Sequence, residues 1–316
     1  MTSLGLLLWI ASGIALQVAV LLGIGFWKHW QSYSRLKRGQ PDADHPDSQA
    51  NLPKADLAGW PGFRTFKVAR RVLEDAAGQI CSFYLEPEDG QALPPYKPGQ
   101  FLTFRLGVPE ADGRGAEQIA RCYSLSDAPM ADQYRVSIKR VASPPNSVYP
   151  AGRASNFFHD HVQVGTALQV RAPAGHFYLA PGSSPVVLVA GGIGITPMLS
   201  MLNWCRSHEP DREVWFFYGV RNGREAAFAS HLKQIAAANP NIHLRLCFSA
   251  PLPDDRLGQD FHHLGRIDVN LFRMELPLKP FQYFICGPTA MMEALVAALW
   301  ERSTDPSEIA TRWVGA

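Results

Sequence analysis

Three short strings in this chain combine residue types able to hold a phosphorylated, aromatic ligand. The first is G-G-x-G-x-T-P, with Gly191, Gly192, Gly194, Thr196 and Pro197. Glycines let a backbone turn sharply and come close to a ligand. Thr196 suits a helix N-cap and Pro197 the first helical position. A helix start presents free N–H groups and the positive end of its dipole, which together favour phosphate. The spacing is neither the Walker pattern nor G-x-G-x-x-G, and a tight structural turn would read the same. The second string is R-C-Y-S at 121–124. Tyr123 offers a flat ring to stack on an isoalloxazine, Ser124 a hydroxyl near a ring nitrogen, and Arg121 a fork for pyrophosphate oxygens. An edge strand with a surface arginine and a half-buried tyrosine has the same look. The third is Cys286-Gly287-Pro288, where a small buried cysteine before a Gly-Pro turn is the plain alternative.

The elements that must position these strings fall into two patterns. From 185 onward, strand and helix alternate: strands over 186–190, 213–220, 242–249 and 282–285, helices over 197–207, 225–238 and 289–302. Residues 186–189 are an unbroken apolar run, as expected of a parallel strand covered on both faces. The alternation predicts a parallel sheet with helices on both sides. Met292, Leu295, Val296, Leu299 and Trp300 share one helical face and read as core. Ligands in such sheets bind beyond the carboxyl ends of the strands. The glycine string, Y-G-V-R at 218–221 and C-G-P at 286–288 each lie at or just past a strand end, so they converge on one edge. Between 62 and 180 the chain instead shows short strands, at 65–71, 80–86, 100–106, 121–126, 134–141 and 167–171, punctuated by turns. That spacing predicts a small antiparallel β-barrel. One helix start is visible at Ser155-Asn156.

The chain of 316 residues is long enough for two ordinary domains and more. Charged residues at 18% and hydrophobic ones at 47% suit a globular protein, and a net charge of +2 gives no case for nucleic acid. None of the five cysteines lies within four residues of another, which argues against a local metal or iron–sulfur site and against a disulfide framework. Residues 4–27 carry no charge and number enough to cross a hydrocarbon core of about 30 Å. A single transmembrane helix is favoured over a cleaved signal peptide: no basic residue precedes the run, and no clear A-x-A site follows it. Lys28, Arg35, Lys37 and Arg38 follow directly, so the bulk of the protein is expected in the cytoplasm, membrane-bound by a single pass. One span without a histidine pair is a poor scaffold for a membrane haem. Residues 28–59, rich in Pro and Asp, read as a linker.

The order of motifs carries a resemblance. P-G-Q-F at 98–101, R-C-Y-S-L-S-D-A-P at 121–129, S-I-K-R-V at 137–141 and G-R-A-S-N-F-F-H-D at 152–160 come first. Then follow V-G-x-x-L-x-V-x-A-P-A-G-H-F at 164–177, G-G-I-G-I-T-P-M-L at 191–199, Y-G-V-R and C-G-P. From about residue 60 to the end, this resembles the ferredoxin–NADP reductase superfamily. It is similar to the reductase half of flavohaemoglobins and to the reductase components of bacterial oxygenases. The resemblance implies an FAD-binding β-barrel over 60–182 and an NAD(P)-binding α/β part over 183–316. It implies that Arg121 contacts the flavin's phosphate side, Tyr123 stacks on the isoalloxazine, and Ser124 bonds near N5. Phe101 would line the flavin site, and the N–H groups at Ser155 and Asn156 would hold the pyrophosphate. Lys139 would add positive charge near the flavin, or stand as a solvated strand lysine. Residues 191–196 would cradle the dinucleotide, Arg221 with Arg224 would meet its adenosine side, and Cys286 would sit against the nicotinamide. The loop at 143–152 would cap the flavin or simply be longer.

The tail departs from the family pattern. Where relatives carry an acidic residue and Phe-Gly, this chain has Arg312 and Val314, with Trp313 one position early as a candidate shielding aromatic. A slip of one residue on a strand changes its face. The implied chemistry is hydride transfer from NADH or NADPH to FAD, with a lean to NADH, then single-electron delivery. The acceptor would be a ferredoxin, a membrane cytochrome or an oxygenase component, supplied as a partner or on a further module. A non-catalytic flavin-binding or assembly subunit, or a scaffold without cofactor, is the alternative.

Overall fold

The computed structural model describes residues 59–110, 115–143, 150–300 and 309–313. The expected membrane span, nearly all of the linker, most of the 143–152 loop and Val314 lie outside them. Among the described residues no helix is long and apolar enough to cross a membrane.

The first half is an antiparallel sheet of β1 (Arg64–Leu73), β2 (Ile80–Pro87), β3 (Phe101–Pro109), β4 (Ala116–Ser124), β5 (Tyr134–Lys139) and β6 (Ala167–Ala174). Its order is β4-β3-β6-β1-β2-β5. A lone antiparallel bridge between Leu125 and Val136 draws the two edges together, giving the expected barrel. In β3 every second residue is buried: Leu102, Phe104, Leu106 and Val108 point inward. β2 and β5 break that rule and are buried on both faces along most of their length, because the second half of the molecule covers their outer side. One helix, α1 (Arg153–His161), closes the barrel with Phe158 packed edge-on against Phe83, Phe104 and Tyr123.

The second half is a wholly parallel sheet of β7 (Val186–Gly191), β8 (Val214–Val220), β9 (Ile242–Phe248), β10 (His263–Leu264), β11 (Gln282–Gly287) and β12 (Ile309–Trp313). The order is β10-β9-β8-β7-β11-β12. Helices α2 (Ile195–His208) and α3 (Ala229–Ala238) cover one face, with Val186, Leu188, Phe216 and Tyr218 beneath them. Helices α4 (Val269–Glu275) and α5 (Thr289–Trp300) cover the other, over Val187, Val189, Phe217 and Ile285. Alternate residues of β7 therefore feed opposite cores, which is why its sequence is apolar throughout. On α5, Met292, Leu295 and Leu299 are buried and Val296 partly so, but Trp300 is 59% exposed and not core. It lies in the helix's last turn, at the edge of the apolar stripe.

The chain leaves β7 towards β8, β9 and β10 on one side, then returns to place β11 on the other side of β7. Sheets open a crevice where the strand order reverses, at the carboxyl ends. Here that point is the end of β7 beside the end of β11, where two of the three motif strings fall.

Candidate active site

A cleft of about 690 Å³ lies between the halves, lined from the barrel side by Arg121, Tyr123, Ser124, Ser137 and Lys139 and by the start of α1. From the sheet side it is lined by Gly191, Gly192, Ile193, Thr196, Gly287, Pro288 and Thr289. Its size is that of a site for a small ligand or cofactor. Three cations, Arg121, Lys139 and Arg153, line it, and no carboxylate does. Two helix N-termini open into it, neither with an acidic residue in its first turn nor with a side-chain cap. Free N–H groups and cations without a local counter-charge make this a place for an anionic ligand.

Tyr123 stands on β4 with its ring against Phe104 and Phe158, at centroid distances of 5.8 and 5.2 Å. Burial pushes its hydroxyl well above the usual tyrosine range, so the ring stays a neutral platform. Ser124 follows, buried at the cleft wall. Arg121 is exposed, two residues before Tyr123 on the same strand face. Its guanidinium donates only to the neighbouring Ala120 carbonyl, at 2.8 Å. The three residues of the R-x-Y-S string thus line one cleft wall together. Phe101 is half-buried with its ring over Gly175, and it does not line the cleft.

The helix starts differ from the sequence reading. α1 begins at Arg153, with Gly152 as its cap. The Asn156 N–H already bonds the Gly152 carbonyl at 3.1 Å, so it is not available to a phosphate. The free donors are those of the first turn, Arg153 to Ser155. The Asn156 side chain instead pins the helix to the end of β5, accepting from the Val141 N–H at 3.2 Å and donating to its carbonyl at 3.1 Å. α2 is entered through a 3₁₀ turn, Gly192–Gly194, and starts at Ile195. Thr196 is therefore not the cap; its hydroxyl donates to the Ile193 carbonyl at 3.1 Å. Pro197 falls third in the helix rather than first, still within the turn whose N–H groups lack partners, so it costs no hydrogen bond.

The glycines divide by role. A Cβ on Gly194 would collide with the carbonyl of Cys286, so Gly194 is there to let the two strand-end loops touch. Gly191 and Gly287 meet each other backbone to backbone in the same place, with Pro288 and Met291 alongside. Gly192 alone has the left-handed conformation, φ +52°, with open space where a side chain would point. Cys286 is fully buried in the core under the cleft. Its side chain does not line the cleft, contrary to the expected place against a nicotinamide, while Gly287 and Pro288 do. Arg221 also lies away from the cleft, just past β8, its guanidinium paired with Glu225 at 2.5 Å. Arg224 occupies the exposed 3₁₀ turn after it. Trp313 pairs with Gly287 through β12, and its ring lies outside what is described. The sequence reading missed Ser137, Arg153 and Thr289 as cleft residues. The G-R-A-S string contained Arg153, and a cation beside a glycine cap was the available signal.

These residues fit a flavin dinucleotide and a pyridine dinucleotide: an aromatic platform, hydroxyls beside it, and two uncapped helix starts among cations. Comparisons with known proteins agree. Residues 188–297 match the family described as "Oxidoreductase NAD-binding domain". Flavohemoprotein of Halalkalibacterium halodurans is 38% identical over 242 residues, 76% of this chain and 57% of that protein. Flavohemoprotein of Bordetella pertussis is 41% identical over 243 residues, 76% of this chain and 58% of that protein. The "flavohem-like-FAD/NAD binding domain" of Vibrio cholerae nitric oxide dioxygenase superposes with a TM-score of 0.70 at 29% identity, over 81% of this chain and all of that one. Phthalate dioxygenase reductase does so at 0.61 and 26%, over 81% of this chain and 69% of that one.

The described part is thus a ferredoxin–NADP reductase-like FAD/NAD(P)-binding module, and the chain is an NAD(P)H-dependent flavoprotein reductase. Within that class the module resembles the reductase part of flavohemoproteins and the oxygenase reductases. The chain spans less than two thirds of the length of these curated relatives.

Proposed function

We propose that this protein takes hydride from NADH or NADPH and passes single electrons to a separate one-electron acceptor at a membrane. The observation that carries the reading is the cleft itself: Tyr123 and Ser124 on one wall, two uncapped helix starts, and three cations with no carboxylate among them. Bound FAD would supply the chemistry, accepting a hydride and releasing electrons one at a time. The chain's own part is positional. Tyr123, held by Phe104 and Phe158, would set the plane of the flavin ring. Ser124 would hold a hydrogen bond at the ring edge. Arg121 and the first-turn N–H groups of α1 would neutralise the pyrophosphate. On the other wall, the close contact of the Gly191 and Cys286 loops would leave room for a nicotinamide beside the flavin, and the start of α2 would receive the second dinucleotide's phosphates.

The acceptor's chemistry is a ferredoxin, a cytochrome or an oxygenase component. Two of the similar proteins carry names that match such use: flavohemoproteins, and a reductase whose title describes electron transfer from pyridine nucleotides to a 2Fe-2S centre. Residues 4–27 would anchor the chain by a single span, with the basic residues behind it holding the reductase on the cytoplasmic side. Anchoring raises the local concentration of a membrane-associated acceptor.

The test is spectral. The full chain, purified in detergent, is expected to be yellow and to bleach on NADH or NADPH without oxygen, faster with NADH. A yellow protein that does not bleach would support a non-catalytic flavin-binding or assembly subunit. A colourless one that also refuses added FAD would overturn the flavin reading. Removing residues 1–50 should lower the acceptor's turnover in intact cells; equal turnover would sink the anchoring idea.

A further inference from the structure

Hydride arrives without its proton, so a group reduced in the cleft must draw one from solvent and later return it. The seam between the two halves holds a buried polar chain that reaches the cleft. Ser82 on β2 and Ser137 on β5 are direct cross-strand partners, and their hydroxyls lie 2.7 Å apart. Both residues are at most 3% exposed. They stand on the outer face of the barrel, the side opposite Cys81, Phe83, Val136 and Ile138 of its core. Ser137 also lines the cleft. At the other end, Ser82 is hydrogen-bonded to the carboxyl of Glu74, which follows β1 and is partly open to solvent.

We propose that Glu74, Ser82 and Ser137 form a proton relay between solvent and the cleft. The proposal rests on the flavin reading above. Neither serine pair has a fixed donor. In the Ser82–Ser137 contact, and in the 2.8 Å contact of Ser137 with Ser126, either oxygen can give the hydrogen. The row can therefore point either way. With Glu74 ionised, Ser82 donates to it; with Glu74 protonated, the carboxyl donates to Ser82, Ser82 to Ser137, and Ser137 inward. One inward transfer breaks the Glu74 O–H bond as a new Ser82 O–H bond forms. Ser82 gives its former proton to Ser137, and Ser137 gives its own to the acceptor in the cleft. Glu74 is left as a carboxylate and recovers a proton from water. The outward transfer is the reverse, and no electrons move along the chain.

The surroundings suit that role. Burial raises the Glu74 carboxyl above the ordinary glutamate value, against the Ser82 hydrogen bond and the nearby Arg135 and Arg70, while Asp127 pushes the same way as burial. Cys81 is its other titratable neighbour on β2, and His231 of α3 faces Arg135 and Asp127 across the seam. A carboxyl moved towards neutrality exchanges protons readily at working pH. The nucleotide half seals the inner end: the Phe228 N–H bonds the Glu74 carbonyl at 3.2 Å, and the Phe228 ring lies under Arg135. A row of hydroxyls shut from water has only its ends through which to exchange.

The experiment follows proton uptake directly. The full chain in detergent, loaded with FAD and kept without oxygen, is mixed with NADH in weak buffer containing a pH-indicator dye. Bleaching and proton uptake should coincide in the unaltered chain. In Glu74→Gln and Ser82→Ala, uptake should lag bleaching by tenfold or more, and Ser137→Thr, which keeps the hydroxyl, should restore what Ser137→Ala loses. A second readout needs no turnover: carbon-13 NMR of the flavin-free chain should show Glu74 titrating above ordinary glutamate, and higher still in Ser82→Ala. Coincident uptake and bleaching in Glu74→Gln would overturn the proposal while leaving the reductase intact. A chain that never turns yellow would remove the flavin reading and the relay with it; the two failures are told apart by colour.

Discussion

The two walls of the cleft use their motif residues in opposite ways. On the barrel wall, Arg121, Tyr123 and Ser124 line the open space themselves, so residue type and role coincide. On the sheet wall, much of the motif is spent inside the protein. Gly194 makes room for the Cys286 carbonyl, Gly191 and Gly287 touch, and Cys286 is buried beneath them. One wall is read from what its side chains offer. The other is read from what its missing side chains permit, namely the closeness of two strand-end loops at the point where the sheet order reverses. A glycine motif at such a point therefore reports backbone packing before it reports ligand contact.

The sharpest break of this contrast lies within one loop. Gly194→Ala should cost at least about 3 kcal/mol, the upper part of the range for overpacking, because the obstacle is backbone and cannot swing away. Gly192→Ala, two residues earlier, meets nothing and should cost only about 1 kcal/mol, for its left-handed backbone. Urea unfolding of both variants decides it; equal losses would mean that the loops do not touch as described.

Next comes the seam that holds the walls together. Asp127 accepts from Asn203 Nδ2 at 2.6 Å and lies 3.3 Å from the guanidinium of Arg135, itself only 8% exposed. The Asp127 carbonyl also takes the hydroxyls of Tyr96 and Ser200, each at 2.5 Å. Removing one partner from a buried ion pair leaves the other charge uncompensated. Asp127→Ala should thus destabilise by about 3 kcal/mol, and Asp127→Asn by less. A barrel and sheet that melt separately by calorimetry in Asp127→Ala would show that this clasp couples them. A single unshifted transition would show that it does not.

The barrel wall makes the converse prediction. Arg121 is exposed and touches only its neighbour's carbonyl, so Arg121→Ala should leave unfolding unchanged within about 0.5 kcal/mol. It should weaken FAD binding by roughly 2 kcal/mol, about thirtyfold, through loss of a charge-assisted contact to phosphate. Flavin fluorescence on titration measures this. Unchanged affinity would place the pyrophosphate elsewhere.

Much of this layout was legible in the chain. The unbroken apolar run of β7 and the alternation in β3 fix their neighbours, since burial on two faces or one leaves different patterns. The convergence of three strings on strand ends followed from the parallel order, and β7 and β11 meet as that reasoning requires. What was not legible depended on partners far off in sequence. β2 and β5 lose their alternation only because another half covers them. Asn156 looks like a helix-start residue, yet it is a strut, because its side chain finds Val141 across a loop. Thr196 preceding Pro197 suggests a cap, but the 3₁₀ turn begins the helix earlier. Cys286 and Gly194 gain their meaning only from each other, 92 residues apart. The Glu74–Ser82–Ser137 row left no motif, since single hydroxyls on strands are common.

The smallest effect is one of pH, and it sets the two halves against each other. His159 in the barrel and His231 on α3 are both held below the ordinary histidine value of 6.5, chiefly by burial. His159 keeps a 2.9 Å contact to the Ile138 carbonyl, and His231 a 3.3 Å contact to Asn203. A group whose folded value is lowered binds fewer protons folded than unfolded. Its stabilisation is present above 6.5 and is lost as pH falls through the lowered value. Glu74 works the other way: its raised value means stabilisation held below 4.5 and lost as pH climbs through the raised one. In the window between, the histidines gain as pH rises while Glu74 loses, so the unaltered chain should show a shallow slope. His231→Gln should flatten it further, and Glu74→Gln should steepen the rise, each by under about 1 kcal/mol because these groups are only partly buried. Unfolding free energies at a series of pH values would read both slopes. If Glu74→Gln left the slope unaltered, burial would not be holding that carboxyl towards its neutral form, and the seam would be wetter than the two dry walls it joins.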